Sequence, residues 1–126
     1  MKRTPTREQL ERAAQAALEK NATDLVLLDL KGVVSFARYF LLCTGQSARQ
    51  VKAISDSIEE QLRTQGLRPL SVEGYQNAEW VLLDYVDFVV HIFSPSAGPY
   101  YDLDRLWRRA ARLPVPAESE ASPAAS

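Results

Sequence analysis

Two segments of the chain carry apolar residues at helical spacing. Between residues 6 and 20, and again between residues 47 and 65, apolar positions recur every three or four residues. Each segment starts with a hydroxyl residue that is followed three residues later by glutamine, as in a capping box. These pairs are Thr6 with Gln9 and Ser47 with Gln50. The pattern therefore predicts two amphipathic helices.

Five shorter apolar runs predict β-strands. The first two are nearly continuous, which favours buried strands, and the last two are joined by residues 84–87 in a way that indicates a hairpin. The predicted strands cover residues 24–30, 38–44, 70–73, 80–83 and 88–93. A strand-helix-strand unit over residues 36–73 would be right-handed if its strands run parallel.

Apolar residues return at helical spacing from Tyr100 to Leu113 and predict a third helix that ends before Pro114. Residues 114–126 are rich in proline, alanine and serine, which predicts a disordered tail after a domain of residues 1–113. The predicted fold class is α/β (α+β), a single mixed sheet of about five strands flanked by helices, with two helices on at least one face.

Composition narrows the class of protein. The chain has 126 residues, 46% of them hydrophobic, which suits one globular domain and leaves no room for a second. Its formal charge of −1 is far from that of an autonomous nucleic-acid binder, so such a contact must be local. One cysteine permits neither an intramolecular disulfide nor a zinc cluster. Because no apolar run suits a secretion signal or a membrane span, we expect a cytoplasmic protein without membrane contact.

Three groups of residues could carry chemistry. The turn at residues 45–47 could bind phosphate but lacks the spaced glycines of known phosphate loops, so simple turn and cap chemistry is favoured. Asp29, Asp84 and Asp87 end or begin apolar strands and could hold a metal for phosphoryl or nucleotidyl transfer, although solvent-facing turn residues explain them as well. Cys43 and His91 have no activating sequence neighbour and are interpreted as a packed thiol and a hydrogen-bonded histidine.

Charge is unevenly distributed along the chain. Residues 53–87 hold seven acidic residues against two arginines. The predicted last helix ends with four arginines, which suit either a helix dipole or an RNA contact. These are Arg105, Arg108, Arg109 and Arg112. By strand alternation, Trp80, Leu82 and Asp84 share one face, and periodicity alone is compatible with both core packing and a partner-binding role for Trp80.

Six blocks of the sequence, in this order, are similar to the ribosomal silencing factor (Iojap-like) family. They are Asp24–Leu30, Cys43–Ser47, Val72–Gly74, Trp80–Asp84, Asp87–Phe93 and Tyr101–Trp107. The resemblance implies a nucleotidyltransferase-like fold without catalytic apparatus or cofactor. Members bind the large ribosomal subunit through ribosomal protein uL14 and prevent the small subunit from joining, while organellar relatives act in large-subunit assembly. Members often form homodimers.

The resemblance also implies which residues bind the partner. The matching positions are Glu73, Trp80, Leu82, Asp84, His91, Tyr101 and Trp107, with Gly74 and Leu103 beside them. Gly74 is expected to supply turn geometry, Trp80 and Leu82 to act as anchors, and the two acidic residues to meet basic partner residues. This chain departs from the family at Arg38, where an aspartate is usual, and near Gly98, where an arginine is frequent.

Overall fold

The computed structural model describes residues 5–95 and 108–115, which form two helices and six strands. In chain order these are α1 (Pro5–Glu19), β1 (Thr23–Asp29), β2 (Tyr39–Thr44), α2 (Ala48–Arg63), β3 (Ser71–Glu73), β4 (Trp80–Asp84), β5 (Phe88–Phe93) and β6 (Ala111–Leu113). The first two predicted helices and all five predicted strands are present, with bounds within two residues of the expectation.

The six strands form one mixed sheet in the order β3-β4-β5-β2-β1-β6. The central pair, β2 and β5, is parallel, and every other pair is antiparallel. The predicted hairpin is confirmed, since β4 and β5 pair directly. In the predicted strand-helix-strand unit, β2 and β3 run in the same direction, but β4 and β5 lie between them.

Both helices pack on one face of the sheet, as predicted. Leu10 and Ala14 of α1 and Ile54 of α2 are fully buried in one cluster with the alternate strand residues Leu41 and Ile92. Burying this apolar stripe of each helix against the sheet supplies the main hydrophobic stabilisation of the fold.

A second buried cluster lies on the opposite face of the sheet. It contains Leu28, Phe40, Leu42, Val89 and Phe93. Because the central strands are buried on both faces, their sequences are nearly continuous apolar runs instead of alternating ones.

The two predicted helix starts have different outcomes. At α2, the Ser47 side chain accepts a hydrogen bond from the Gln50 backbone N–H at 3.1 Å, so the predicted cap is confirmed. At α1, the helix already includes Pro5, so Thr6 lies inside the first turn and is not the cap. Proline suits the first helical position because its missing N–H would have no helical partner there.

The end of the chain differs from the prediction. Residues 108–109 are helical, but residues 111–113 form β6, so a helix continuing to Leu113 is wrong and the sheet has six strands instead of five. The strand forms because the edge of β1 has backbone N–H and C=O groups that need hydrogen-bond partners. Ala111 pairs there with Asp29, and Leu113 pairs with Leu27.

The packed core continues beyond β6. Val115 is buried in the cluster on the helix side, so the core extends two residues past the predicted boundary at residue 113. Residues 100–107 of the predicted third helix and residues 116–126 of the predicted tail lie outside the described residues.

Candidate functional site

Strand β4 turns one set of side chains away from the helices. Trp80, Leu82 and Asp84 lie on the face opposite to α1 and α2, whereas Val81 and Leu83 between them are fully buried. This is the alternation that the sequence predicts. Trp80 is 42% exposed, so its side chain is partly packed and partly available for contact.

Cross-strand neighbours on β5 hold the Trp80 ring. Its centroid lies 5.2 Å from that of Phe93 and 6.0 Å from that of His91. The indole N–H donates a hydrogen bond to His91 Nδ1 at 3.1 Å. Trp80 therefore has a fixed orientation, and a fixed aromatic side chain loses little conformational entropy when it binds a partner.

His91 is almost completely buried, with 4% of its surface exposed, and meets Phe40 edge-on at 4.4 Å between ring centroids. Burial lowers the pKa of His91 to about 4, so the imidazole is neutral at pH 7. Since Nδ1 accepts from Trp80, the proton resides on Nε2, which has no hydrogen-bond partner among the residues that the structure describes. The structure thus confirms a packed, hydrogen-bonded histidine.

An open groove of about 300 Å³ adjoins Trp80 at the edge of the sheet. It is lined by Glu73, Gly74, Trp80 and Leu82. Glu73 on the edge strand β3 is exposed and pairs with Leu82 across the ladder. An aromatic and aliphatic surface bordered by a carboxylate suits an apolar contact flanked by a basic group.

Gly74 sets the geometry of this groove. Its φ of +79° belongs to the left-handed region, and a Cβ at this position would collide with the Trp80 carbonyl oxygen. The expected turn role of Gly74 is therefore confirmed, and it also permits a close approach between the turn and the start of β4.

The three candidate metal ligands lie at the same end of the sheet but do not converge. Asp84 accepts a hydrogen bond from the Val86 backbone N–H at 2.8 Å, and Asp29 forms an ion pair with Arg38 at 3.0 Å. Burial opposes ionisation of Asp29, but hydrogen bonds from Arg38 and the Lys31 N–H outweigh it and lower the pKa of that carboxyl. In the part of the chain that the structure describes, no group of three acidic, histidine or cysteine side chains could hold a metal ion.

Cys43 and His91 cannot form a catalytic pair. Cys43 lies in the cluster on the helix side, and burial raises the pKa of its thiol to about 12, whereas His91 faces the other side of the sheet. The turn at residues 45–47 also matches its simpler interpretation. The Gly45 N–H donates to the Phe93 carbonyl and the Gln46 N–H to the Gln50 side chain.

Comparison with known proteins identifies the family. A family model described as ribosomal silencing factor during starvation matches residues 3–126. This chain belongs to the ribosomal silencing factor family. A ribosomal silencing factor of Bacillus subtilis is 42% identical over 95 residues, which cover 75% of this chain and 80% of that protein.

Solved structures agree with this assignment. A crystal structure of a Bacillus halodurans protein has a TM-score of 0.76 and 36% identity, covering 86% of this chain and 98% of that chain.

A more distant relative, from mouse, is named mitochondrial assembly of ribosomal large subunit protein 1. It is 23% identical to this chain, and the match covers 71% of this chain and 40% of the mouse protein.

The remaining candidate residues fall in two groups. Tyr101, Leu103, Arg105 and Trp107, and the family departure near Gly98, lie outside the described residues. Arg108, Arg109 and Arg112 are exposed at the edge of the sheet opposite to β3. Because Arg112 belongs to β6, the helix-dipole interpretation does not apply to it.

Sequence reasoning missed a contact that anchors the loop after Gly74. The Tyr75 hydroxyl donates to the Asp56 carboxylate at 3.0 Å, and the Lys52 ammonium lies 5.4 Å from the centre of the Tyr75 ring. These contacts connect the loop that leads into Trp80 with α2. Tyr75 and Asp56 are 19 positions apart, so no local sequence pattern predicts their contact.

No helix among the described residues is long and apolar enough to cross a membrane.

Proposed function

We propose that this protein lowers translation by binding the large ribosomal subunit at ribosomal protein uL14 and blocking the small subunit from joining. The observation that carries the proposal is the fixed, half-exposed Trp80 beside the Glu73 carboxylate. Aromatic anchors dominate the binding energy of protein interfaces, and charges orient the partners. The protein would act in the cytoplasm, where it meets ribosomal subunits.

Repression of this kind requires occlusion and no chemical step. A standard protein interface covers about 800 Å² on each partner, which a domain of this size can present. A bound chain then occupies part of the surface on which the second subunit docks. A homodimer of this protein would have to dissociate or leave the Trp80 groove accessible.

We assign different roles to the residues of this surface. Trp80 and Leu82 are the proposed apolar contacts, and Glu73 and Asp84 the proposed partners of basic residues. His91 is too buried for a broad contact, so its proposed role is to position Trp80. Tyr101 and Trp107 remain proposed contacts from the family resemblance, and Arg105, Arg108, Arg109 and Arg112 remain proposed contacts to ribosomal RNA.

Trp80→Ala tests this assignment. We expect the variant to lose roughly 30-fold or more in affinity for purified uL14 and for isolated large subunits, the effect of removing an interface hot spot of about 2 kcal/mol or more. Val72→Ala is the matched control, because Val72 is exposed on the neighbouring strand but pairs with Leu83 and so faces the helix side. Equal binding by both variants and the wild type would contradict the proposal.

The mouse relative's name favours a second candidate function, a role in assembly of the large subunit. An assembly factor would use the same docking surface and differ in when it is released. Sucrose gradients of cells lacking the gene distinguish the two functions. Accumulation of immature large subunits during growth would favour assembly, and excess joined ribosomes during starvation would favour silencing.

A further inference from the structure

A second exposed apolar surface lies at the end of the sheet remote from Trp80. Phe36, in the connection between β1 and β2, is 65% exposed, and Val86, in the β4–β5 turn, is 56% exposed. Both line an open cavity of about 400 Å³, whose rim also carries Lys31, Arg38 and Asp87. The proposed contact with uL14 uses none of these side chains.

The Val86 turn is held in an unfavourable conformation. Val86 has a φ of +74°, and the Asp87 N–H donates to the Tyr85 carbonyl across it, which makes a γ-turn with a β-branched residue at its centre. Such turns are rare and strained. The Asp84 carboxylate stabilises this one by accepting from the Val86 N–H. The strain keeps an apolar side chain exposed beside the cavity, and strain of this kind concentrates at functional sites.

Two cationic side chains line the same cavity as Phe36. The Arg38 guanidinium is oriented by Asp29 and lies 5.0 Å from the centre of the Tyr39 ring, while its side chain stays 47% exposed. The Lys31 backbone N–H also donates to Asp29, which fixes the start of the loop. An aromatic side chain and two cations thus share one cavity.

The short helical segment before β6 adds a third cation to this end of the sheet. Ala111 pairs with Asp29 at the end of the antiparallel ladder, which places Arg109 at the same end of the sheet as the loop that carries Phe36. Ala110 packs in the same buried cluster as Leu30 and Ala37, on either side of the Phe36 loop. Arg109 is exposed there.

We propose that the surface formed by Lys31, Phe36, Arg38 and Arg109 binds an unpaired segment of RNA, with a base stacked on Phe36 and the three cations on its phosphates. Exposed aromatic rings among cationic side chains are the usual means of binding single strands, since every base has a face that can stack. The Phe36 ring is supported from behind by Phe40, at 6.1 Å between centroids. The carboxylate of Asp87 on the rim can accept from base amino groups.

This inference rests on the proposed function in one respect, because it takes the RNA to be ribosomal. The chain then contacts the subunit at two places, a protein at the Trp80 groove and RNA at the Phe36 end. The RNA contact fixes the orientation of the bound chain on the subunit.

Binding of a fluorescent oligouridine of about 12 nucleotides, followed by anisotropy across a salt series, tests the surface without ribosomes. Three phosphate contacts predict a slope of about −2 for log K against log salt concentration. Phe36→Ala should weaken binding roughly 5- to 150-fold with the slope unchanged. Arg109→Ala should reduce the slope by about 0.7. Arg68→Ala, an exposed arginine that precedes β3 at the opposite edge, is the matched control. Equal binding by all variants would overturn the proposal.

Photo-crosslinking then separates RNA from protein on the subunit itself. The full chain with p-benzoylphenylalanine in place of Phe36 is bound to isolated large subunits and irradiated. Adducts that ribonuclease removes support the proposal. Adducts with a ribosomal protein only, or none from a chain that sediments with the subunit, overturn it while leaving the proposed function intact. If the chain does not sediment with the subunit, the proposed function fails, and the oligouridine series alone decides whether this surface binds RNA.

Discussion

At the scale of single residues, the neutral state of His91 is central to the Trp80 site. Its Nδ1 accepts the indole hydrogen bond, and burial lowers the pKa of the folded protein's imidazole to about 4, below the value of 6.5 for a free side chain. The unfolded chain therefore binds the proton more tightly. Stability is complete above about pH 6.5 and is lost as the pH falls from there toward 4.

We expect the free energy of unfolding to fall by about 2 kcal/mol between pH 7 and pH 5 because of His91. Urea titrations at several pH values measure this loss. In His91→Leu the same pH interval should have a much smaller effect, although the variant also lacks the acceptor for Trp80. A wild type and variant with parallel stability profiles would show that His91 is not the titrating group.

Two glycines with the same backbone conformation provide a second prediction. Gly32 and Gly74 have φ values of +80° and +79°, but only Gly74 faces a backbone atom that a Cβ would strike. Gly32→Ala should therefore lower the free energy of unfolding by about 1–2 kcal/mol, which is the penalty of the left-handed backbone conformation alone. Gly74→Ala should lower the free energy of unfolding by more, because the added Cβ would displace the start of β4 as well. Thermal unfolding of the two variants measures the difference, and equal melting temperatures would contradict a close approach at Gly74.

The sequence predicts part of this site at the residue scale. Alternation alone places Trp80, Leu82 and Asp84 on one face, because the strand period of two requires nothing beyond the strand itself. It cannot show that His91 orients Trp80, since that contact depends on the register between two strands. The sequence also cannot show whether Trp80 is packed or exposed, and in the structure its side chain is partly packed and partly exposed.

At the scale of elements, Gln50 connects the start of α2 with the end of α1. Its side chain accepts from the Gln46 N–H at 2.6 Å and donates to the carbonyl oxygens of Lys20 and Asn21 at 2.9 and 3.0 Å. The Gln50 side chain therefore forms hydrogen bonds with three backbone groups at two helix ends, whereas the Ser47 side chain forms one with a single backbone group.

We expect Ser47→Ala to lower the free energy of unfolding by about 1 kcal/mol, as for other cap removals. Gln50→Ala should cost more, because it leaves backbone groups of both helix ends without their partners. Urea unfolding of the two variants gives the comparison. A smaller loss for Gln50→Ala than for Ser47→Ala would mean that water replaces the three hydrogen bonds.

The elements that the sequence predicts well are those with long, self-contained patterns. Helix α2 is buried on one side, so its apolar residues recur every three or four positions. Strands β2 and β5 are buried on both faces, so their sequences are continuous apolar runs. Strand β6 is too short for a period, and Ala110 and Leu113 are three residues apart, as in a helix. It exists because β1, far away in the chain, offers an edge, and no local pattern records that pairing.

At the scale of the whole molecule, the strand order separates two surfaces. It places the acidic edge, with Glu73 on β3, and the arginines on and beside β6 at opposite sides of one rigid sheet. The proposed contacts to a ribosomal protein and to RNA thus lie at opposite sides of one domain. The separation could not be predicted, since the parallel pairing of β2 with β5 decides it.

A subunit-joining experiment tests the proposed occlusion most directly. Isolated large subunits are incubated with the wild type, Trp80→Ala or Val72→Ala, small subunits are added, and joined ribosomes are measured on sucrose gradients. We expect the wild type and Val72→Ala to reduce joining and Trp80→Ala to leave it unchanged. Normal joining with the wild type present on the large subunits would contradict the proposed occlusion.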